Sequence, residues 1–556
     1  MAAVPAPLRR AWLPGLVLLL ALIARLAWVL FTGYTFEDAF ITFRFARNLS
    51  EGQGFAFNPG EPIYGTTTPL LTLVLAAASW LGLDVVGTAT FLGVMAGLGA
   101  LGLWLHGMRR LGAAPGAQAL GGLLLACAPL LWQMDGGGME TPLVLLLMLA
   151  AWLAAVQGRS GWAGVWLGAM LWTRVDTLGW ALLPVMALWG QQQGRARWRS
   201  LARLFVGMFA VYLPWVLFAW AYFGSPLPYT VLAKWAAYAQ PDGQGVGQHV
   251  LLGLARLRPF HVLGSNWVIL SQGLLLILAV RGAWGWRRTP AVWGLLPFAA
   301  LEVLRLAWQR ATFFDRYFVP ALWAVLALAG LGLALPFSRL LRTLLGGWLL
   351  TVAAGLFLTA IGDPLWSAGL LWPIFCALWA AVERWLVRQN GNAWARAQLA
   401  ILVGLVLLAT WHLGRMEAEG QRWVQLYRHE RSLKVVGLWL ADNVPADAKV
   451  LLEPIGYVGY FSRRVLRDEV GLVTPAVVQS KLAGQMDVLT YLDLLRPDYW
   501  VLHCDDAQRL QAQRAPALAE YQFLVQIDPL QFAQGRRVPS GREACYEVWG
   551  RLGLAP

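Results

Sequence analysis

Two adjacent carboxylates, Glu37 and Asp38, follow directly on an apolar stretch of helical length that runs from Leu13 to Phe31. Ionisable side chains at the boundary of a membrane are costly, and by default they indicate a functional site. A carboxylate can take a proton from an attacking hydroxyl group. The pair therefore predicts acid–base chemistry at a membrane surface.

Other charged residues stand in apolar surroundings and form a second group of candidates. Cations of this group could hold a phosphate or pyrophosphate leaving group and neutralise its charge as it departs. Because a phosphate held in this way needs no general acid, one base is sufficient for such a reaction. The group comprises Glu140 in MDGGGMET, Arg174 and Asp176 in LWTRVDT, Lys234 in GSPLPYTVLAK and Arg316 in FFDRYF.

Each of these residues also has a structural interpretation. Arg174 and Asp176 could equally form an ion pair that holds a hairpin. Glu140 begins a predicted helix, where a carboxylate favours the positive end of the dipole, and Arg316 could extend its side chain to the membrane interface. The six histidines show no metal-ligand spacing. The sequence therefore predicts no cofactor, although a divalent cation at the acid pair stays open.

The composition of the chain indicates a membrane protein. Of its 556 residues, 58% are hydrophobic and 13% are charged, and 32 are Trp. A soluble domain could not bury so much apolar surface, so we predict a polytopic α-helical membrane protein. The net charge of +14 lies mostly in basic clusters between apolar spans, which determine topology and do not indicate nucleic acid.

The apolar runs predict about thirteen transmembrane helices. The fifth and sixth are short and could be one bent hairpin or two half-spans. The basic clusters fall on one side of this threading, which predicts a cytoplasmic N-terminus and an outer C-terminus. The predicted spans are 12–31, 87–108, 116–133, 141–157, 161–173, 177–190, 201–222, 264–281, 291–308, 317–335, 343–361, 364–384 and 397–414.

Residues 32–86, called here the first loop, are then expected on the outer side. We predict an amphipathic helix from Asp38 to Ser50, a turn from Gly52 to Gly65, and a helix from Pro69 to Leu83. The last of these is only about fifteen residues long, which is short for a crossing. It is therefore predicted to lie on the outer leaflet.

From about Glu417 onward, charges become frequent and strand-like runs alternate with helical ones. This pattern predicts a transmembrane domain over 1–414 and a small extracytoplasmic α/β domain over 415–556. Cys504 and Cys545 could be bridged in that domain, or they could be two buried thiols. Strands are expected at Lys449–Glu453, Tyr499–Cys504, Tyr521–Ile527 and Ala544–Trp549, and helices at Leu433–Asp442 and Asp487–Leu495.

The segment EDAFITFRFARNLSEGQGFAFNPGEPIYGTTTPLL resembles the first loop of the GT-C glycosyltransferase superfamily, in the branch of the mycobacterial terminal arabinofuranosyltransferase. GGMETPL, LWTRVDTL, YFGSPLPYTVLAK and FDRYFVP look like further signatures of that branch, in the same order. The stretch VPADAKVLLEPIGYVGYFSRRVLRDEVGLVTP also resembles its outer domain. The resemblance implies a GT-C-like fold and an inverting transferase that uses a polyprenyl-phosphate sugar.

The resemblance also implies roles for single residues. An acid of the first loop is the expected base, and Asp38 is our choice. The usual pair in this branch is Asp-Asp, so Glu37 departs from it and is the weaker catalytic candidate. The stretch IYGTTTPL replaces an acidic EGYT-like stretch, so the acceptor or the sugar is expected to differ. The candidates for donor-phosphate and substrate binding are Lys234, Arg316, Arg174, Asp176, Glu140, Arg44 and Tyr64.

The predicted function is transfer of a sugar, for example a pentofuranose such as arabinofuranose, from a polyprenyl-phosphate donor to a cell-envelope glycan or lipid. The expected location is the outer face of the plasma (inner) membrane. Alternatives are a transporter or flippase of lipid-linked sugars, a non-catalytic scaffold, and transfer to protein or lipid A. We see no internal repeat, and most unusual charges gather at the outer edge, which favours the enzyme. Arg25, Glu302 and Arg305 are exceptions that could pair within the membrane.

Overall fold

The described part of the protein is a set of packed helices followed by a small unit that combines a sheet with helices. The structure is a computed structural model, and it describes residues 12–238, 245–258, 265–310, 314–335, 414–426, 429–528 and 544–553. The last three predicted spans, 343–361, 364–384 and 397–414, lie outside the described residues except for residue 414.

The helices of the N-terminal part follow the apolar runs of the sequence. They are α1 Leu13–Thr32, α2 Ala39–Ser50, α3 Pro69–Trp80, α4 Val85–Arg110, α5 Pro115–Ala126, α6 Pro129–Gly136, α7 Thr141–Val156 and α8 Ser160–Thr173. The remaining helices of this part are α9 Leu182–Gln191, α10 Gly194–Phe223, α11 Tyr229–Tyr238, α12 Val246–Arg256, α13 Ser265–Gly285, α14 Pro290–Trp293, α15 Leu295–Trp308 and α16 Val319–Ala334. Short 3-10 helices at Val175–Ala181 and Asp315–Phe318 precede α9 and α16.

Several of these helices are long and apolar enough to cross a membrane. Within the described ranges, five segments meet that condition, and a bent pair makes a sixth. The five are Leu13–Thr32, Val85–Arg110, Gly194–Phe223, Pro290–Trp308 and Asp315–Ala334. The coarse prediction of a polytopic helical membrane protein agrees with this architecture, while the count of thirteen stays a prediction.

The predicted span 116–133 is not one straight helix. Helices α5 and α6 meet at an angle of 64° at a short break. Pro129 begins α6, and a proline lacks the N–H group that would continue the hydrogen bonding of the preceding helix. The single span predicted here is therefore a broken span or a re-entrant segment.

Small residues let neighbouring helices of this part pack closely. A Cβ atom added at Gly164 of α8 would lie 2.0 Å from the carbonyl oxygen of Leu204 in α10. One added at Gly207 would lie 2.5 Å from the carbonyl oxygen of Gly161. Close approach of helix backbones through small residues is typical of helix packing in membranes.

The first loop folds as predicted from its pattern, with α2 and α3 connected by an irregular turn. The two helices are held side by side by hydroxyl pairs: Thr42 with Thr68 at 3.0 Å, and Ser50 with Ser79 at 2.8 Å. Helix α3 ends at Trp80, and its position relative to a membrane stays a prediction.

The C-terminal unit contains a five-stranded mixed sheet in the order β2-β1-β3-β5-β4. The pairs β1–β2 and β1–β3 are parallel, and the pairs β3–β5 and β4–β5 are antiparallel. The strands are β1 Lys449–Leu452, β2 Val465–Asp468, β3 Tyr499–His503, β4 Tyr521–Ile527 and β5 Tyr546–Arg551. The helices are His429–Asn443, Gly456–Ser462, Pro475–Leu482, Val488–Leu495 and Cys504–Ala512.

A disulfide bond joins two segments of this sheet unit. Cys504 and Cys545 are bonded, with their Cα atoms 5.4 Å apart. Of the two alternatives that the sequence left open, the structure therefore contains the bridge. Strand β2 was not predicted, because its four residues Val-Leu-Arg-Asp offer too short an apolar pattern.

Candidate functional site

Asp38 lies at the start of α2, where the chain has just left α1. Gly33 ends α1 in a left-handed conformation with φ 58° and donates its N–H group to the carbonyl of Val29. The chain then turns through five residues, and Asp38 precedes the first residue of α2. The side chain of Asp38 is 36% exposed, so a hydroxyl group from outside can reach its carboxylate.

The carboxylate of Asp38 forms an ion pair with Arg316, whose side chain is mostly buried. Burial alone would raise the pKa of Asp38, but the charges of Arg316 and Lys234 outweigh it and hold this pKa below its ordinary value. Asp38 is therefore ionised at neutral pH and can accept a proton.

Tyr317 connects three cations of the candidate site. Its hydroxyl group is hydrogen-bonded to Lys234 Nζ at 3.0 Å. The guanidinium groups of Arg174 and Arg316 each lie 5.3 Å from the centre of its ring, within the range of cation–π contacts. Sequence reasoning missed Tyr317, and the signal for it was its position beside Arg316 in FDRYF.

Arg174 holds two carboxylates at once. Its Nε and Nη2 atoms donate to the two oxygens of Asp176 at 2.9 and 2.6 Å, and Nη1 donates to Glu140 at 2.6 Å. The structural interpretation of these residues as an ion pair therefore describes a real contact. The same contact fixes the guanidinium of Arg174 beside Tyr317, so the structural and site interpretations are compatible.

Arg174, Asp176, Arg316 and Tyr317 border a small cleft, whereas Asp38, Lys234 and Glu140 are not among the residues that line it. A further arginine, Arg305, also borders it and is paired with Glu302 at 2.8 Å. The sequence had marked Arg305 and Glu302 only as a pair within the membrane. The cleft is lined by Thr141, Val144, Arg174, Asp176, Thr177, Trp180, Arg305, Arg316, Tyr317 and Pro320.

Lys234 differs from the arginines around this cleft. Arg174, Arg305 and Arg316 each pair with a carboxylate. The Lys234 ammonium, in the part of the chain that the structure describes, contacts a neutral hydroxyl and forms no ion pair. An anion that reaches Tyr317 would therefore also meet the Lys234 ammonium, whose charge already acts on the Asp38 carboxylate.

Arg44 lies away from the cleft, which corrects the expectation that it binds the donor. Its side chain is 1% exposed, and its guanidinium donates to the carbonyls of Phe57, Gly459 and Arg464 at 2.7, 3.0 and 2.6 Å. Because main-chain acceptors and Asn58 already engage its donor groups, Arg44 is a structural tie between the first loop and the C-terminal unit.

Tyr64 was also expected to bind substrate, but it is buried between the first loop and α10. It is 4% exposed, its hydroxyl accepts a hydrogen bond from Trp215 Nε1 at 2.7 Å, and its ring stacks on Phe223 at 4.8 Å. An aromatic residue buried and bonded in this way holds the first loop against α10. It does not line the cleft.

Asp135, five residues before Glu140, forms a buried ion pair with Arg25 at 2.6 Å. Arg25 belongs to α1 and Asp135 to α6, so this pair joins two helices of the bundle. Arg25 therefore pairs with Asp135, and Glu302 pairs with Arg305.

Glu37 has partners in the C-terminal unit that its neighbour Asp38 does not share. Its carboxyl oxygen Oε1 accepts hydrogen bonds from the backbone N–H groups of Gly456 and Tyr457 in the C-terminal unit. Burial, followed by the nearby Asp38 carboxylate, raises the pKa of Glu37 to about 8. The pKa values of the two adjacent acids are therefore shifted in opposite directions.

The described residues contain no group of three or more His, Cys, Asp or Glu side chains that could hold a metal ion. The described side chains include a candidate base, Asp38, and a candidate anion-binding cation, Lys234. The fold and this site together define a helical membrane protein with a polar centre where the first loop meets the bundle.

Comparison with known proteins agrees with this class. The chain is 26% identical, over 372 residues, to the terminal β-(1→2)-arabinofuranosyltransferase of Mycobacterium tuberculosis strain H37Rv; this match covers 60% of the chain and 58% of that relative. The match thus spans less than two thirds of the relative's length. The profile of a family described as Domain of unknown function (DUF8728) matches residues 419–549.

Two solved structures share the fold over nearly the whole chain. The crystal structure of ArnT from Cupriavidus metallidurans bound to undecaprenyl phosphate matches with a TM-score of 0.60 and 17% identity, covering 98% of this chain and 99% of that one. The same protein in its apo state matches with a TM-score of 0.58 and 16% identity, covering 96% and 98%. The similarity in sequence confirms the predicted resemblance to the mycobacterial arabinofuranosyltransferase, and the two solved structures show that the fold is shared.

Proposed function

We propose that the protein is an inverting membrane glycosyltransferase that uses a polyprenyl-phosphate sugar as donor. The observation that carries the proposal is the arrangement of an ionised, partly exposed Asp38 near Lys234, a cation without a carboxylate partner among the described residues. A base for an incoming hydroxyl and a cation for a departing phosphate are the two groups that this transfer requires.

In the proposed reaction, one carbon–oxygen bond forms, one carbon–oxygen bond breaks, and one proton is transferred. The acceptor hydroxyl oxygen attacks the anomeric carbon of the sugar, and its proton passes to Asp38. The bond between that carbon and the phosphate oxygen breaks, and its electron pair leaves with the polyprenyl phosphate. Because the attack and the departure occur on opposite faces of the sugar, the configuration at the anomeric carbon is inverted.

Lys234 and the cleft arginines would receive the charge that develops on the phosphate. The Lys234 ammonium can approach a phosphate oxygen while Tyr317 holds it in place. Arg316 has a carboxylate partner in Asp38 and would have to share its donors between that carboxylate and the phosphate. Arg174 is fixed by Glu140 and Asp176, which suits a role in shaping the cleft.

The proposed location is the plasma (inner) membrane, with the N-terminus cytoplasmic and the C-terminal domain extracytoplasmic. The Cys504–Cys545 bridge supports the outer location, since disulfides persist in oxidising compartments. The proposed acceptor is a hydroxyl of a cell-envelope glycan or lipid, and the proposed sugar is a pentofuranose such as arabinofuranose. The similarity to the mycobacterial enzyme supports this choice of sugar. We propose that no cofactor takes part.

The test is a donor panel. Purified protein in lipid is given several polyprenyl-phosphate sugars, each with a hydroxyl-bearing glycan or lipid acceptor, with and without a chelator. We expect a covalent product with inverted configuration and an equal amount of released polyprenyl phosphate. Movement of an intact lipid-linked sugar across vesicles without a covalent product would reject the proposal and identify a flippase. Loss of product in the chelator would reject the proposal that no cofactor takes part.

A further inference from the structure

The C-terminal unit reaches the acid pair through its main chain. The N–H groups of Gly456 and Tyr457 both donate to the same oxygen, Oε1 of Glu37, the Tyr457 bond being 3.3 Å long. A side chain at position 456 has no space, because an added Cβ would lie 2.1 Å from the Glu37 carbonyl oxygen and 2.5 Å from Oε1. Glycine at this position therefore permits the contact with Glu37.

A second set of contacts holds the residues just before the acid pair. The Tyr457 hydroxyl donates to the carbonyl of Thr35 at 3.2 Å, and the Thr35 N–H group donates to Gln425 Oε1 at 3.4 Å. Gln425 Nε2 in turn donates to the Tyr457 hydroxyl at 3.1 Å. The ring of Phe40, two residues after the pair, lies 3.9 Å from that of Tyr457. The acid pair is thus held by the C-terminal unit on both sides.

The reach of the glutamate side chain makes the main-chain contact possible. An aspartate at position 37 would place its carboxyl one methylene nearer to its own backbone. It would then fall short of the Gly456 N–H group. This gives a physical reason for Glu in place of the Asp that the resemblance leads one to expect.

Of the two acids, Glu37 is suited to donate a hydrogen bond and Asp38 is suited to accept one. With a pKa near 8, Glu37 is mainly protonated at neutral pH, whereas Asp38 is ionised. Because Oε1 of Glu37 already accepts two N–H groups, its proton lies on the other oxygen. From there it can serve the hydrogen bond that links the two side chains. The charged and titratable groups that face the pair are Arg316 and Lys234 from the bundle, and Glu453 and Tyr457 from the C-terminal unit.

We propose that the C-terminal unit is a component of the active site: its Gly456–Tyr457 backbone holds Glu37 so that Glu37 positions the Asp38 carboxylate by donating a hydrogen bond. Glu37 is then a positioning residue, and Asp38 alone is the base. This inference rests on the proposed transfer reaction. It gives a role to the segment that matches a domain of unknown function.

Substitutions at Glu37 test this role. Glu37→Ala removes the donor and should lower kcat about tenfold or more, the effect of one hydrogen bond to a charged group. Glu37→Gln keeps an acceptor for the two N–H groups and a donor for Asp38, so it should restore kcat to within about threefold of wild type. Glu37→Asp should behave like Glu37→Ala. A Gln variant as inactive as Asp38→Asn would overturn the proposal.

The pH profile separates positioning from a structural effect. In the wild type, transfer should fall as pH rises through about 8, because Glu37 then loses its proton and repels Asp38. Glu37→Gln cannot lose that proton, so this alkaline limb should disappear. Persistence of the same limb in Glu37→Gln would contradict the role of Glu37.

A glycine substitution tests the contribution of the C-terminal unit. Gly456→Ala should displace Glu37 and lower kcat about tenfold. The matched control is Gly420→Ala, since an added Cβ there meets no atom within 4 Å, and it should keep wild-type kcat. Wild-type kcat in Gly456→Ala, with the variant folded by its thermal unfolding, would overturn the proposal.

An infrared measurement tests the protonation of Glu37 without any need for sugar transfer. The wild type minus Glu37→Gln difference spectrum at neutral pH should contain the carbonyl band of a protonated carboxylic acid. Gly456→Ala should shift that band, since it alters both N–H contacts. A carboxylate band instead would overturn the positioning role even if no donor of the panel reacts. Absence of transfer in the wild type, with the protonated band present, would count against the proposed reaction only.

Discussion

The Arg316 guanidinium and the Asp38 carboxylate form an ion pair that joins the 3-10 helix before α16 to the start of α2. The pair keeps Asp38 ionised, but it also reduces the affinity of that carboxylate for a proton. A donor phosphate that draws Arg316 toward itself would weaken this restraint. The base would then be strongest when the donor is bound, which disfavours reaction in its absence.

Replacing Arg316 should change the pH dependence of transfer. Arg316 holds the pKa of Asp38 down, so the acidic limb of kcat/KM lies below the ordinary aspartate range. In Arg316→Gln this pKa rises, and the limb should move to higher pH. Arg467→Gln is the control, because Arg467 of β2 pairs with Glu61, which lies in the first loop as Asp38 does. An acidic limb that stays in place in Arg316→Gln would contradict the pairing.

Replacing Asp38 by asparagine should abolish the base. We expect kcat to fall by about 10²- to 10⁴-fold, the usual contribution of a positioned base. The assay is transfer of labelled sugar from a polyprenyl-phosphate donor. Asp84→Asn is the control, since Asp84 caps α4 through the N–H group of Gly87 and asparagine caps equally well. Transfer at the wild-type rate in Asp38→Asn would exclude it as base.

Lys234→Met should remove the ammonium group that receives the donor phosphate in the proposed reaction. Loss of one group that stabilises a developing charge lowers kcat by roughly 10²-fold. Initial rates at saturating donor measure this effect. Lys449→Met changes an exposed lysine on β1 and should leave the rate unaltered. Equal rates for the two variants would count against a phosphate site beside Lys234.

Arg25→Met should destabilise the protein without touching the cleft. Removing one partner of a buried pair leaves the other charge uncompensated, at a cost of about 3 to 5 kcal/mol. Chemical unfolding in detergent, compared with the wild type, gives this difference. Arg415→Met is the control: the Arg415–Glu419 pair is exposed at 67% and 51%, and such pairs contribute less than about 1 kcal/mol. If both variants lowered the free energy of unfolding by a similarly small amount, the proposed contribution of Arg25 to stability would be refuted.

Removing the disulfide should weaken the C-terminal unit. The bridge closes a segment with a sequence separation of 41, for which chain entropy predicts about 4 kcal/mol. The double change of Cys504 and Cys545 to serine should lower the unfolding temperature, and a reductant should then have no further effect. Cys127→Ala should keep the sensitivity to reductant. A wild type that is insensitive to reductant, with both thiols titratable, would contradict the bridge.

The local parts of the fold could be predicted from sequence. Helix α2 was expected from Asp38 to Ser50 and spans Ala39–Ser50, because its period and flanking residues are local signals. The grouping of Lys234, Arg174 and Arg316 followed from their shared side of the threading. Tyr317, which connects them, was missed, although it stands next to Arg316 in FDRYF.

Long-range contacts explain why the sequence did not reveal the partners of Arg44 and Glu37. Arg44 was assigned to the donor, yet its acceptors at Gly459 and Arg464 lie 415 and 420 residues further along the chain. Glu37 was the weaker of the two acids by sequence, but its partner at Gly456 is 419 residues away. A single sequence contains no signal for such pairings, so these roles required the structure.

The distance in sequence between Arg44 and its acceptors has a consequence for biosynthesis. During translation the first loop emerges long before Gly459 and Arg464 exist. Until the C-terminal unit has been made and has docked, a guanidinium destined for burial lacks these two partners and must stay hydrated. A chain that lacks the C-terminal unit therefore also lacks the acceptors that hold the Arg44 side chain of the first loop.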